Sequence, residues 1–245
     1  MIRLTTRPMN AAVIALVCGV IAAPLVADDE RPTMHVKPTE EFEVNGKGDA
    51  AAWKGVEWTP LVKRGNSHHD YETRVKMLYS KTGLYFLMDG TDMKVTATYT
   101  EDFDTLWKED VYEVFLWTDE KTPIYFEYEI SPLNKELPIL VPNYGGNFLG
   151  WRPWMYDGER RIRKAVHIEG GEAKNGSDSK GWRAEFFFPY DLLRPLQNVP
   201  PTKGTQWRAN FYRMDYDGGV SSSWDWSRVG PSFHEYQKFG TLVFD

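Results

Sequence analysis

Apolar and polar residues alternate along most of the chain with a period of two, the spacing of a strand that buries one face. Runs rich in Val, Tyr, Phe and Trp predict strands at 73–79, 84–89, 94–98, 111–117, 124–130, 163–169, 182–188, 206–215 and 241–244. Turn residues such as Lys81-Thr82-Gly83, Glu169-Gly170-Gly171 and Asp217-Gly218-Gly219 separate several of them. In the run Trp182-Arg-Ala-Glu-Phe-Phe-Phe, Trp182, Ala184, Phe186 and Phe188 share one face, and Arg183 and Glu185 take the other. Helical signal is confined to two turns, one behind Asp49 at Ala50–Trp53 and one at Tyr190–Leu193. Many short strands with very little helix predict an all-β fold: a two-sheet antiparallel sandwich of the jelly-roll or immunoglobulin-like kind.

The first residues break this pattern. Arg3 and Arg7 precede an apolar run from Ala11 to Ala27, followed at once by Asp28-Asp29-Glu30. A basic start, a greasy stretch and a small residue before acidic sequence read as a secretory signal over 1–27. The run holds about 17 residues and contains Pro24, too little for a comfortable bilayer span. Residues 28–41 are polar and proline-bearing and read as an exported spacer or a first edge segment. A single domain is expected over 42–245, secreted or periplasmic and open to association with the cell surface, with no membrane span after signal cleavage.

Composition narrows the chemistry. The one cysteine, Cys18, lies inside the leader, so thiol chemistry and Cys-rich zinc sites are excluded. Removing Arg3 and Arg7 leaves 27 Lys and Arg against 35 Asp and Glu, a net charge of −8. With no basic stripe, nucleic acid is not an expected partner. The 10 Trp must be placed. Most are core material, but Trp107, Trp151, Trp154, Trp224 and Trp226 sit near Asp, Glu, Asn and Arg in loop-like sequence. Indole faces stack on the C–H face of a pyranose while carboxylates and amides bond its hydroxyls. The plainer alternative is that these rings pin loops to the sandwich.

Three segments carry a resemblance: Val44-Asn-Gly-Lys-Gly-Asp-Ala-Ala-Ala-Trp53, Leu106-Trp-Lys-Glu-Asp-Val-Tyr-Glu-Val-Phe-Leu116, and Trp226-Ser followed by Gln237-Lys-Phe-Gly-Thr-Leu242. Together they resemble the family 9 carbohydrate-binding modules, relatives of the DOMON group of β-sandwiches. The resemblance implies two tryptophans around a terminal sugar, here Trp107 and Trp226, with Glu113 as a hydroxyl-binding glutamate. At the family's sugar-binding arginine this chain carries Glu127. Arg213 and Asp215, at alternating positions on one strand, complete the expected polar contacts. The resemblance also implies structural calcium, for which Asp102, Asp104 and Asp110 are the oxygen-rich candidates.

The expected function is therefore non-catalytic binding of plant-type polysaccharide or oligosaccharide ends, such as xylan or cellulose fragments, beside a separate glycoside hydrolase. Two other classes stand against it. Glu127 and Glu129 share a strand face that Glu113 can neighbour, the raw material of a glycoside hydrolase with paired carboxyl groups. DOMON kinship implies haem held for electron transfer, with Met77, Met88, Met93 and Met214 as sulfur donors. His68-His69-Asp70 resembles a fragment of a metal site but lacks a third ligand, and His167 reads as a structural histidine within a strand.

Overall fold

Alternating burial folds the aromatic-rich runs into two layers facing one core. A computed structural model describes residues 31–65 and 67–245, and the expected leader lies outside these residues. In chain order the strands are β1 Thr33–Pro38, β2 Thr59–Pro60, β3 Val62–Lys63, β4 Thr73–Tyr79 and β5 Gly83–Gly90. There follow β6 Val111–Trp117, β7 Ile124–Ile130, β8 Glu136–Tyr144, β9 Asn147–Phe148 and β10 Arg152–Pro153. The last are β11 Arg163–Glu169, β12 Gly181–Pro189, β13 Gln206–Asp215, β14 Ser222–Asp225 and β15 Gly240–Phe244. Helical segments among the described residues are short 3₁₀ turns, so the predicted all-β sandwich holds.

The front sheet runs β10-β8-β7-β6-β13-β15 and the back sheet β4-β5-β12-β11. Between them passes β1, whose residues 33–36 pair in parallel with β15 and whose residues 37–38 pair in parallel with β4. Residues 33–38, read from sequence as part of a spacer, thus belong to the sandwich. Val36 is fully buried and fixes that role. The inner faces meet through Val114, Leu116, Phe126 and Tyr128 on the front sheet and Phe86, Phe186 and Phe188 on the back. Rings of Tyr128 and Phe186 lie 4.9 Å apart, and those of Phe86 and Phe186 5.3 Å, within the range of favourable aromatic pairs.

On β12 the predicted alternation is met: Trp182, Ala184, Phe186 and Phe188 enter the core. Glu185, on the opposite face, is also buried. Its carboxylate accepts from the Trp53 indole N–H at 2.8 Å and from the backbone N–H of Asn45 and Gly46 at 2.9 Å. Gly46 has φ +80 there, and a Cβ would lie 3.0 Å from the backbone of Val166, so glycine is required. The 3₁₀ turn Ala51–Gly55 has Ala50 as its N-cap, and Asp49 instead accepts from the Asn45 side chain at 2.8 Å. The turn Tyr190–Leu193 is as predicted.

Two readings change. The expected strand at 94–98 reduces to a single bridge between Lys94 and Asp178. Thr96 N–H donates to Asp110 Oδ2 and Ala97 N–H to Asn175 Oδ1, so side chains replace a ladder. Conversely, β8 carries Pro138 and Pro142, which mask a strand in sequence. It pairs fully with β7 on one side and only with the short β10 and β9 on the other, where missing N–H groups are tolerated.

Candidate functional site

Successive residues of a strand point to opposite faces, and this parity decides which predicted residues meet. On the front sheet, Tyr112, Val114, Phe126, Tyr128 and Phe211 face the inter-sheet core. Glu113, Phe115, Glu127, Glu129, Ile139 and Met214 face outward and floor a cleft of about 520 Å³. Over it stands the 3₁₀ turn Leu106–Lys108, which buries Leu106 and leaves Trp107 half-buried at the wall. The Tyr216 hydroxyl donates to the Trp107 carbonyl at 2.8 Å, and the Glu109 carboxylate accepts from Thr98 and from Tyr99 N–H. The loop is thereby tied down on both sides.

The fold brings together the expected Trp107, Glu113 and Glu127 with Glu129 and Trp151, which the sequence also singles out, and the structure adds Phe148, Phe233, His234 and Arg64 to the same cleft. Trp151 meets Trp107 edge to face at 5.7 Å, Phe148 stacks on His234 at 4.0 Å, and Phe233 stacks on Tyr212 at 4.1 Å. Residues 229–236 carry no aromatic periodicity or motif pointing to a site; only folding carries Phe233 and His234 across the sheet. Trp154, the other indole of the 145–154 segment, instead packs on the core and donates to the Leu192 carbonyl at 2.7 Å.

Glu113 stands directly opposite Glu129, and Phe115 opposite Glu127. Burial pushes the Glu113 carboxyl up to about 8. Burial also raises Glu127 well above the ordinary range, with the Glu113 charge adding to it. For Glu129 the upward push is again burial first, then the charges of Glu113 and Glu127. His234 lies 3.7 Å from Glu127, yet burial lowers its pKa to about 4, and its Nδ1 pairs with the Tyr125 hydroxyl at 2.6 Å. It enters as a neutral imidazole.

Three expected site residues lie elsewhere. Trp226 is only 7% exposed and belongs to the main core, with its ring 5.3 Å from Phe211 and pressed on Gly240, where a Cβ would come within 2.5 Å. It is not the second wall of the cleft. Arg213 and Asp215 do share a face, but it is the inner one, because Tyr212 is the β13 residue opposite Glu113. Arg213 donates to Asp215 at 2.7 Å, to Asp92 at 3.1 Å and to the Thr91 carbonyl at 2.7 Å, with its guanidinium 5.0 Å from the Trp224 ring. This is an interior polar network.

Of the calcium candidates, Asp102 pairs with Lys164 at 2.9 Å and accepts from Glu136 N–H, and Asp104 is half-buried apart from both. Asp110 instead joins Asp92 and Asp215, whose oxygens lie within 4.8 Å of one another. Arg213 already places a positive charge within this trio. Arg213 bridges Asp92 and Asp215, and both Asp110 oxygens accept backbone N–H groups, of Thr96 at 2.6 Å and Tyr216 at 2.9 Å. The remaining oxygens of Asp92 and Asp215 accept from Lys94 N–H and Asp217 N–H. Burial, then the charges of Asp215 and Asp92, push Asp110 up to about 9. The methionines weighed for haem do not converge: Met77 and Met88 fill the core, Met93 is exposed and Met214 floors the cleft. His69 stacks on Tyr71 and bonds the Asp217 carbonyl, Asp70 pairs with Lys63, and His167 is exposed.

Fold and cleft together define a two-sheet β-sandwich with an aromatic and carboxylate groove on its front face. Residues 44–135 match the family described as Carbohydrate family 9 binding domain-like, and the resemblance to the family 9 modules is borne out. The match contains the first two of the three motif segments. A protein named "Extracellular protein" from Arthroderma benhamiae is 28% identical over 183 residues, 71% of this chain and 78% of its own. A crystal structure of a candidate carbohydrate-binding protein from Bacteroides uniformis aligns with TM-score 0.71 at 16% identity, covering 88% of this chain and all of that one. Family 9 modules from Caldicellulosiruptor kristjanssonii, in complex with cellotriose and with glucose, align with TM-score 0.62 at 15% identity. They cover 87% of this chain and 94% and 96% of theirs. At such identities the likeness concerns the fold. Among the described residues, no helix is long and apolar enough to cross a membrane.

Proposed function

We propose that the chain binds carbohydrate in the cleft beside Trp107 without cleaving it. The observation that carries this reading is the union, in one cleft, of half-buried indoles at Trp107 and Trp151 with the carboxyls of Glu113 and Glu127. An indole covers the C–H face of a pyranose, and carboxyls fix its hydroxyls. The cellotriose and glucose complexes of the Caldicellulosiruptor relatives support a pyranose end as the occupant. Exposed Tyr144, Phe148 and Leu149, on the segment that leads to Trp151, support contact with a chain longer than one sugar.

In this reading the protein is secreted by its leader, holds ends of cellulose- or xylan-type chains, and works beside a separate glycoside hydrolase. Each stack or exposed hydrogen bond contributes about 1 kcal/mol, which sets a weak to moderate affinity. Tryptophan fluorescence titrated with glucose, cellotriose and xylotriose should shift and saturate, and Trp107→Ala should abolish the change. A flat titration with all three, or one unaltered by Trp107→Ala, overturns the reading. Release of reducing sugar that stops in Glu113→Gln would replace it with the hydrolase.

A further inference from the structure

The floor of the cleft holds three carboxyls and no cation to match them. Glu113, Glu127 and Glu129 are 2%, 4% and 1% exposed, and β-pairing sets Glu113 directly across from Glu129. Among the described residues none of the three pairs with Lys or Arg, and Oε2 of both Glu127 and Glu129 lacks any hydrogen-bond partner. Buried polar atoms are almost always partnered, and a buried carboxylate without a counter-charge is costly, so without a cation beside them these groups keep protons that a bound cation would displace. Two basic side chains line the cleft, and neither supplies that charge. The Arg64 guanidinium is committed to Asp225 at 2.8 Å and to the Gly230 carbonyl, over the Phe233 ring. His234 is held neutral by burial, and its Nδ1 is taken up by the Tyr125 hydroxyl.

Resting on the carbohydrate reading, we propose that the cleft selects a sugar carrying a protonated amine, a hexosamine of the glucosamine type, over the neutral sugar. The ammonium group brings one positive charge and three N–H donors, the complement of orphaned acceptors on Glu127 and Glu129. Its pyranose ring offers the same C–H face to Trp107 and Trp151, and indole faces also attract the cation. A compact metal ion is the poorer match. The carboxylate grouping whose oxygens approach within 4.8 Å is that of Asp92, Asp110 and Asp215, not these glutamates.

The test is a calorimetric titration of the whole protein with glucosamine, N-acetylglucosamine and glucose, at a pH where the free amine is charged. Chitosan and cellulose trisaccharides extend the series. Glucosamine and the chitosan trimer should bind at least tenfold tighter than their neutral counterparts. In Glu129→Gln, which keeps shape and leaves the indoles, Glu113 and Glu127 in place, that preference should vanish while neutral-sugar binding persists, and in Glu127→Gln the ratio of charged-sugar to neutral-sugar affinity should likewise fall toward one. Equal affinity for charged and neutral sugars overturns the inference and leaves the carbohydrate reading standing. A preference that survives both substitutions also overturns it. Loss of binding to every sugar defeats the carbohydrate reading itself, and capture of simple alkylamines as tightly as glucosamine removes the sugar from the claim.

Discussion

Two tryptophans with similar sequence settings have opposite physical standing. Trp107 is half-buried over the cleft, so Trp107→Ala removes ligand contact and little core. We expect about a tenfold loss of sugar affinity, near 1.4 kcal/mol, with an almost unchanged melting temperature. Trp226 is packed against Phe211 and Gly240 in the interior. Trp226→Ala should cost about 3–5 kcal/mol of stability, seen as a lower denaturation midpoint, while affinity per folded molecule is kept. Arg213→Met belongs with the second case. It leaves Asp92 and Asp215 buried without their cation, a loss of about 3–5 kcal/mol, and ligand titrations of the folded protein should be unmoved. Sequence made both indoles candidates because a loop ring over solvent and a loop ring folded inward look alike. What separates them is the contact each finds after the chain returns.

At the level of strands and turns, period-2 patterning was a sound guide wherever both faces had distinct work. β13 spans 206–215 as read, and β6 and β7 match their predicted limits. It was silent on parity, because β6 and β13 are apolar on both faces: Tyr112 and Val114 pack inward while Phe115 packs outward. That is why Arg213 and Asp215 were grouped with Glu113 although they occupy the other side. Prolines mask β8 in the sequence, and polar residues mask β1. Because β1 joins both sheets in parallel, deleting residues 33–38 should abolish cooperative unfolding rather than trim an ornament, which thermal denaturation followed by near-UV circular dichroism will test. Glu185→Leu should likewise loosen the 45–53 segment, since it strands the Trp53 indole and two backbone N–H groups. A stability loss of about 2–4 kcal/mol in urea denaturation is expected.

For the whole molecule, buried acidic groups, Glu113 and Asp110 among them, make stability depend on pH in an unusual direction. Glu113 moves from 4.5 to about 8 and Asp110 from 3.8 to about 9 on folding. A carboxyl that holds its proton more tightly when folded contributes stability fully below its unfolded pKa. That contribution is lost as pH rises through the folded value. The melting temperature should therefore fall from about pH 5 to about pH 9, and Glu113→Gln should flatten part of that slope. A melting temperature that climbs over this range would refute the burial of these groups.

The sandwich class was legible in sequence because alternation along a strand is local, and the Trp107–Glu113 pair through the family 9 resemblance, whose motif segments are short runs of the chain. Glu127 was legible for the same reason, as a charge on a known strand. The rest depended on distant segments meeting. Register set Glu129 against Glu113, the fold of residues 229–239 delivered Phe233 and His234, and the path of the chain turned Trp226 inward. Spacing along a chain fixes which side chains share a face; only closure of the two sheets decides which face meets water and which ligand it can hold.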